Sequence, residues 1–158
     1  MFTTIAQVLA VLAVLGNGIV YGADATAALI MRSVYRRLDD ATMTKVAGWG
    51  HYYGDRRMPF AGVGGVVTAA LAVVAAAVAG HAAASIAAGV ALAALLIWLA
   101  FYVRVAKPIN TAQTAAAQSG VIPSDARALQ EKWDSILGFR IGLQATAVAA
   151  LGITLILL

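Results

Sequence analysis

Four apolar runs, each close to the ~20 residues that a helix needs to cross a bilayer, leave this chain few ways to fold. They cover about residues 3–23, 60–79, 82–105 and 136–158. In hydrocarbon no water pairs with backbone N–H and C=O groups, so each run is read as a helix. The predicted class is all-α: one integral membrane domain over residues 1–158, a four-helix transmembrane bundle running up-down-up-down. Charge supports this, because only 11% of the chain is charged, against roughly 25% in a soluble domain. The first run is read as a span and not as a cleaved signal peptide. No positive residue precedes it, and it exceeds a usual signal h-region.

The charges lie at one end. Arg32, Arg36, Arg37, Lys45, Arg56 and Arg57 follow the first run, and Arg104, Lys107, Arg127 and Lys132 follow the third. The N-terminus and the Gly80-His81 turn carry no Lys or Arg. The positive-inside rule predicts a protein of the cytoplasmic membrane, with both basic connections in the cytoplasm and both termini outside. The net charge of +4 therefore reports topology, and no nucleic-acid partner is expected.

Small residues predict close helix packing, which lipid does not drive by hydrophobic force. Ala70, Ala75, Ala76, Ala77 and Ala79 make the second helix thin, and Gly18 and Gly22 form a small-xxx-small pair in the first. Ile30, Val34, Tyr35 and Leu38 keep helical spacing, so helix one is expected to continue to about Arg37. Asp39 and Asp40 then cap a short interfacial helix bearing Met43, Val46 and Trp49. Pro59 opens the second span in its first turn. In the other connection, Ser124-Asp125 starts a helix that runs through Trp133 into the fourth span.

Two polar stripes interrupt the apolar pattern. Asn17, Tyr21 and Asp24 stand at offsets 0, 4 and 7, and Trp133, Arg140 and Gln144 at 0, 7 and 11. Each set shares one helix face. Charges inside spans are costly and usually meet a partner or a cavity. Asp24 and Arg140 lie at matching depth, which predicts an ion pair across the bundle. The bland alternative is an Arg140 that snorkels to lipid phosphate. Gln144 and Asn17, deeper on the same faces, favour the inward reading.

His51 stands in Trp49-Gly50-His51-Tyr52-Tyr53-Gly54-Asp55, as general base, metal ligand or bystander among interfacial aromatics. His81, in the opposite turn, is expected to be solvated and inert. With no cysteine there is no thiolate ligand or nucleophile. One His and scattered carboxylates make no metal-binding pattern. No cofactor is expected, although the residues leave metal and haem open. Gly62, Gly64 and Gly65 do not fit a dinucleotide fingerprint.

Four short spans, then Lys107-Pro108-Ile109-Asn110, an amphipathic stretch, and Trp133 and Arg140 entering the last span give a layout similar to one family. It resembles the anthrone-oxygenase-like family of small integral membrane proteins. The resemblance covers most of the chain in layout, but its specific part is Pro108, Asn110, Trp133 and Arg140. It implies a cofactor-independent monooxygenase that turns an anthrone into an anthraquinone. The implied partners are a lipophilic aromatic molecule, O₂ and membrane lipid. In that reading His51 or Asp24 is the base, Arg140 and Asn110 hold the enolate oxygen, and Trp133, Trp49 and Tyr21 stack on the rings. Asn17 and Gln144 complete the walls of a pocket at the cytoplasmic end. His51 falls in no firm family motif, so the substrate stays open between anthrone-like and quinol-like molecules. Two other readings compete: a non-catalytic accessory subunit of a larger membrane complex, and a transporter or channel subunit that must assemble as a homo-oligomer.

Overall fold

The computed structural model describes residues 1–158 as helices joined by short turns, with no strand. Helix α1 spans Phe2–Thr26, passes through a π-helical turn at Ala27–Met31 and continues as the short α2, Arg32–Tyr35. Helix α3 is one rod, Asp40–Val78. Helix α4, Ala82–Phe101, passes through a second π-helical turn at Tyr102–Ala106 into α5, Lys107–Ser119. Helices α6, Ala126–Ser135, and α7, Leu137–Leu157, follow with a break at Ile136. Four helices are thus long and apolar enough to cross a membrane, and the chain is an integral membrane protein.

The rods outrun the hydrocarbon. At 1.5 Å per residue the 39 residues of α3 reach almost ~60 Å, about twice the ~30 Å core. This corrects the expected short interfacial helix. Residues 40–58 are helical, but they extend the second span. Met43, Thr44, Ala47 and Gly48 are buried there, and that half of α3 packs against α5. Pro59 likewise lies inside α3 and not in its first turn. It leaves the Asp55 carbonyl without the usual N–H four residues on.

Helix α1 lies against α3 and α7, and α4 against the same two, so the bundle is a closed square in up-down-up-down order. Its interior is made of small residues. Ala13, Ala69, Ala91, Ala94, Ala147 and Ala150 surround Leu95 and Leu151, while Val8, Leu15, Leu71 and Val74 point outwards. In lipid, large apolar side chains gain nothing by turning inwards, whereas small ones let backbones approach. Helices α1 and α3 approach closely at Gly16, where a Cβ would lie 2.8 Å from the Ala61 carbonyl oxygen and 3.2 Å from the Gly65 backbone. Of the expected thin-helix alanines, Ala75 and Ala76 are buried and Ala77 faces out. Gly18 and Gly22 are also on an open face: a Cβ at either meets nothing within 4 Å.

The turns are tightly tied. Gly80, at φ +82, reverses the chain between α3 and α4, a conformation that favours glycine. His81 is not freely solvated as expected: it is half-buried, with Nε2 3.2 Å from Thr3 Oγ1. At the basic end, Arg127 donates to the carbonyl oxygens of Tyr35 and Leu38, both at 2.9 Å, and to Asp40. Asp39 caps α3, accepting from Thr42 N at 2.9 Å and Thr42 Oγ1 at 2.7 Å. The Thr42 hydroxyl, then its backbone N–H, hold the Asp39 carboxyl below its usual range. A lowered folded-state pKa gives stability that is complete above the ordinary carboxylate range and lost as pH falls through the lowered value. Asp39→Ala is therefore expected to lower the melting temperature slightly at pH 7, with the deficit vanishing in acid. Thermal scans in detergent at both pH values check this.

Candidate functional site

Each long helix contributes polar groups to one level of the bundle, beside the two π-helical turns. Arg140 Nη2 of α7 donates to Asp24 Oδ1 of α1 at 2.8 Å, and Trp98 Nε1 of α4 donates to Asp24 Oδ2 at 3.1 Å. Both charged residues are 5% exposed. The Arg140 guanidinium lies 5.3 Å from the Trp98 ring centre and 5.5 Å from that of Trp133. It is thus flanked by two aromatic rings at cation–π range, with its charge matched by Asp24.

A second knot surrounds Asp55. Tyr102 Oη donates to Asp55 Oδ1 at 2.8 Å, and Asn110 Nδ2 donates to the same oxygen at 2.9 Å. Asn110 in turn accepts from Trp133 Nε1 at 3.0 Å. The Trp133 ring sits 5.3 Å from that of His51. One chain of contacts therefore runs from α4 and α5 through α6 to the imidazole on α3.

Between these knots lies a cavity of about 230 Å³. His51, Asp55, Asp24, Arg140, Asn110 and Tyr102 bring polar groups to it, and the remaining wall is largely apolar. Met58, Pro59 and Val63 of α3 and Trp98 and Leu99 of α4 belong to that wall. Pro59 and Val63 are on the outer surface. Ala23 of α1, also in the lining, is exposed as well, so the cavity reaches the outer surface of the bundle beside α3. Glycine makes the room: a Cβ at Gly54 meets nothing within 4 Å, and one at Gly62 meets only Val20 Cγ2 at 3.6 Å.

A second cavity of about 440 Å³ also touches His51 and is lined from α1, α3 and α6. Thr26, Tyr35, Gln130 and Trp133 line it, and it shares Ala23, Asp24 and His51 with the first.

The residues singled out from the sequence sort into three groups. Asp24, His51, Asn110 and Arg140 meet at the first cavity. Asn17, Gln144 and Trp133 are buried but do not line it. Asn17 donates to the Ala13 carbonyl oxygen at 2.8 Å and lies against Gly65, and Trp133 orients Asn110 from behind. Tyr21 and Trp49 are misplaced by the sequence reading. Tyr21 lines neither cavity, and Trp49 is 41% exposed, edge-on to Tyr52 at 5.2 Å. It stands on the bundle surface and not in a cavity wall.

Asp55, Trp98 and Tyr102 were not anticipated. One signal was available for Asp55: it follows His51 by four residues, which puts the two on one helix face. Trp98 and Tyr102 share the same spacing, and their rings stack at 5.8 Å with a 6° angle between planes. No group of three or more His, Cys, Asp or Glu side chains converges closely enough to hold a metal ion.

No family model, no curated protein and no solved structure matches this chain.

Proposed function

We propose that the chain is a membrane oxidoreductase that oxygenates a lipophilic aromatic molecule of anthrone or quinol type, drawn in sideways from the bilayer. One observation carries this reading. An imidazole, a carboxylate and a guanidinium converge on a mainly apolar cavity that reaches the outer surface of the bundle beside α3. Buried ionisable groups in a span mark a site by default. Flat rings suit the stacked Trp98–Tyr102 pair.

The chemistry follows from the placement. His51 removes a proton from the acidic CH₂ of the substrate. Asp55, one turn along the same helix, offsets the imidazolium charge, and Tyr102 and Asn110 fix Asp55 in place. Asp24 is not the base, because both its oxygens are engaged, by Arg140 and by Trp98. It acts as the counter-ion that keeps Arg140 at the cavity. Arg140 Nε is buried without a hydrogen-bond partner, and this side chain stabilises the developing enolate oxygen. The carbanion passes one electron to O₂, the radical and superoxide combine, and the protonated hydroperoxide loses water to leave a carbonyl. Anthrone and O₂ thus give anthraquinone and water. The reading shares its chemistry with the anthrone-oxygenase-like family, and it places the basic connections in the cytoplasm and both termini outside.

The test uses protein in lipid nanodiscs with a synthetic anthrone, following O₂ uptake and anthraquinone absorbance together. Wild type is expected to turn over well above the spontaneous rate. His51→Ala is expected to lose about 10²- to 10⁴-fold with its melting temperature retained. A wild-type rate equal to protein-free discs would remove the proposal.

A further inference from the structure

We propose that Gln113, Gln130 and Asp134 form a directional chain of hydrogen bonds that fixes which nitrogen of His51 bears the proton. The inference rests on His51 being the base, and it makes these three its positioning residues. A neutral imidazole has one N–H and one lone pair, and only the lone pair can take a proton from carbon. The proposed reaction takes and returns that proton at one nitrogen. A ring that wanders between tautomers is idle for part of its time.

The chain takes its direction from its far end. An ionised carboxylate accepts hydrogen bonds and donates none. Asp134, on α6, is buried, and Arg32 Nε lies 3.8 Å from its Oδ2 as counter-charge. Its Oδ1 accepts from Gln130 Nε2 at 2.9 Å. Gln130 therefore turns its NH₂ to Asp134 and its oxygen the other way. That oxygen accepts from Gln113 Nε2 at 3.0 Å. Gln113 is thereby turned in the same sense, with its own oxygen at the end of the row. Gln113 Oε1 is buried and accepts from no other group, and the His51 ring is within hydrogen-bonding reach of this side chain. An amide oxygen only accepts, so the ring nitrogen that meets it is the N–H. The other nitrogen keeps the lone pair, on a ring that lines the first cavity. Asp55 does not set the tautomer, since the bonds it accepts come from Tyr102 and Asn110.

The fold brings these parts into register. Helix α5 packs on α3, and a Cβ at Gly48, one turn before His51, would overlap the Gln113 carbonyl oxygen. From α5, Asn110 reaches Asp55 and Gln113 reaches His51. Two amides thus meet two functional groups of α3. Gln130, Trp133 and Asp134 stand at offsets 0, 3 and 4 on α6, which is one helix face. That face orients both amides. Trp133 Nε1 only donates, so Asn110 gives it an oxygen and keeps its NH₂ for Asp55. Gln130 offers Gln113 an oxygen, so Gln113 keeps its own oxygen for His51.

The test reads the tautomer itself. Protein carrying isotope-labelled histidine is placed in lipid bilayers, above the ordinary titration range of imidazole, and the ring nitrogens are observed by solid-state NMR. His81→Gln removes the only other histidine signal. Wild type is expected to show a single tautomer. Asp134→Asn is expected to show both in comparable amounts, because an amide there can meet Gln130 with either end. Adding Gln130→Glu to Asp134→Asn moves the carboxylate one link nearer to the ring. It is expected to restore the single tautomer, although Arg32 has still lost its partner. With an anthrone, kcat should follow the share of the competent tautomer, falling about twofold in Asp134→Asn at unchanged KM. Gln113→Met, which removes the acceptor, takes the place of Asp134→Asn if that variant does not fold. A wild-type ring split between tautomers would overturn the chain, as would an Asp134→Asn ring identical to wild type. A double variant that stays mixed would do the same. The spectra need no turnover, so an inert wild type with one tautomer removes the oxygenase reading and leaves the chain standing.

Discussion

Arg140→Met is expected to destabilise the bundle by about 3–5 kcal/mol, the range for removing one partner of a buried ion pair. The effect comes from what remains. Asp24 keeps its bond from Trp98, but it has no other cation within reach at its depth. The double variant Asp24→Leu with Arg140→Met is expected to recover most of the loss, since an apolar pair of similar volume leaves no uncompensated charge. Unfolding in a graded detergent mixture measures both. If Arg140→Met unfolds like wild type, the pair holds nothing together, and an Arg140 that turns to lipid phosphate takes its place. The double variant separates roles as well as energies: it is expected to be stable and inactive, because the cavity would then have lost its guanidinium.

The second large effect is expected at Gly48. A Cβ there would overlap the Gln113 carbonyl oxygen and stand 2.5 Å from the Ala117 Cβ. The obstacle is largely backbone and does not yield as a flexible side chain would. Thr114 also donates to the Gly48 carbonyl oxygen at 3.2 Å, which fixes α5 against α3 at that point. Gly48→Ala is therefore expected to cost about 1–3 kcal/mol, the usual range for overpacking. Gly50→Ala, two residues along, meets nothing within 4 Å and should gain up to about 1 kcal/mol from helix propensity alone. The same unfolding assay compares the pair. Equal stabilities for the two variants would contradict the close approach of α3 and α5. Because α5 carries Asn110, Gly48→Ala should also shift the position of Asp55 and reduce turnover.

Much of the fold was legible because membrane solvation leaves little choice. Long uncharged runs must be helices, and the short turn between the second and third sets those two antiparallel. The Asp24–Arg140 pair was legible for a similar reason: two charges inside apolar runs at equal depth have few other partners. The errors on single residues come from angle. Around a helix of about 100° per residue, Asn17 to Tyr21 turns roughly 40° one way, and Asn17 to Asp24 roughly 20° the other. A spread of about 60° suffices to take Tyr21 out of the wall while Asp24 stays in it. Trp49 and His51 stand roughly 200° apart, so an inward His51 forces Trp49 outwards. A short quoted motif hides this, because it reads as a cluster what the helix separates. Arg140 and Gln144 stand roughly 40° apart on α7, and both are buried.

Pro59 was misread for a different reason. Proline inside a helix is costly in water, but neighbouring helices can satisfy the freed carbonyl in a membrane. Asp55 could have been paired with His51 by spacing. Its bonds to Tyr102 and Asn110 could not, since they join residues 47 and 55 positions apart.

The two π-helical turns carry a consequence for how this chain tolerates change in length. Each holds one residue more than an α-helical turn would use, so it acts as a phase shifter of about 100° between the two halves of its rod. The N-terminal half of α1 presents Ala6, Ala10, Ala13 and Asn17 to its neighbours. Beyond the turn the rod obeys a second register, which aims Arg32 at Asp134 and brings the Tyr35 carbonyl to Arg127. Removing any single residue from 27–31 would give a more regular helix and a worse protein, because every side chain beyond it would face the wrong neighbour. Length in these two five-residue stretches is therefore under tighter restraint than identity, the opposite of what holds in the loop that joins α5 to α6.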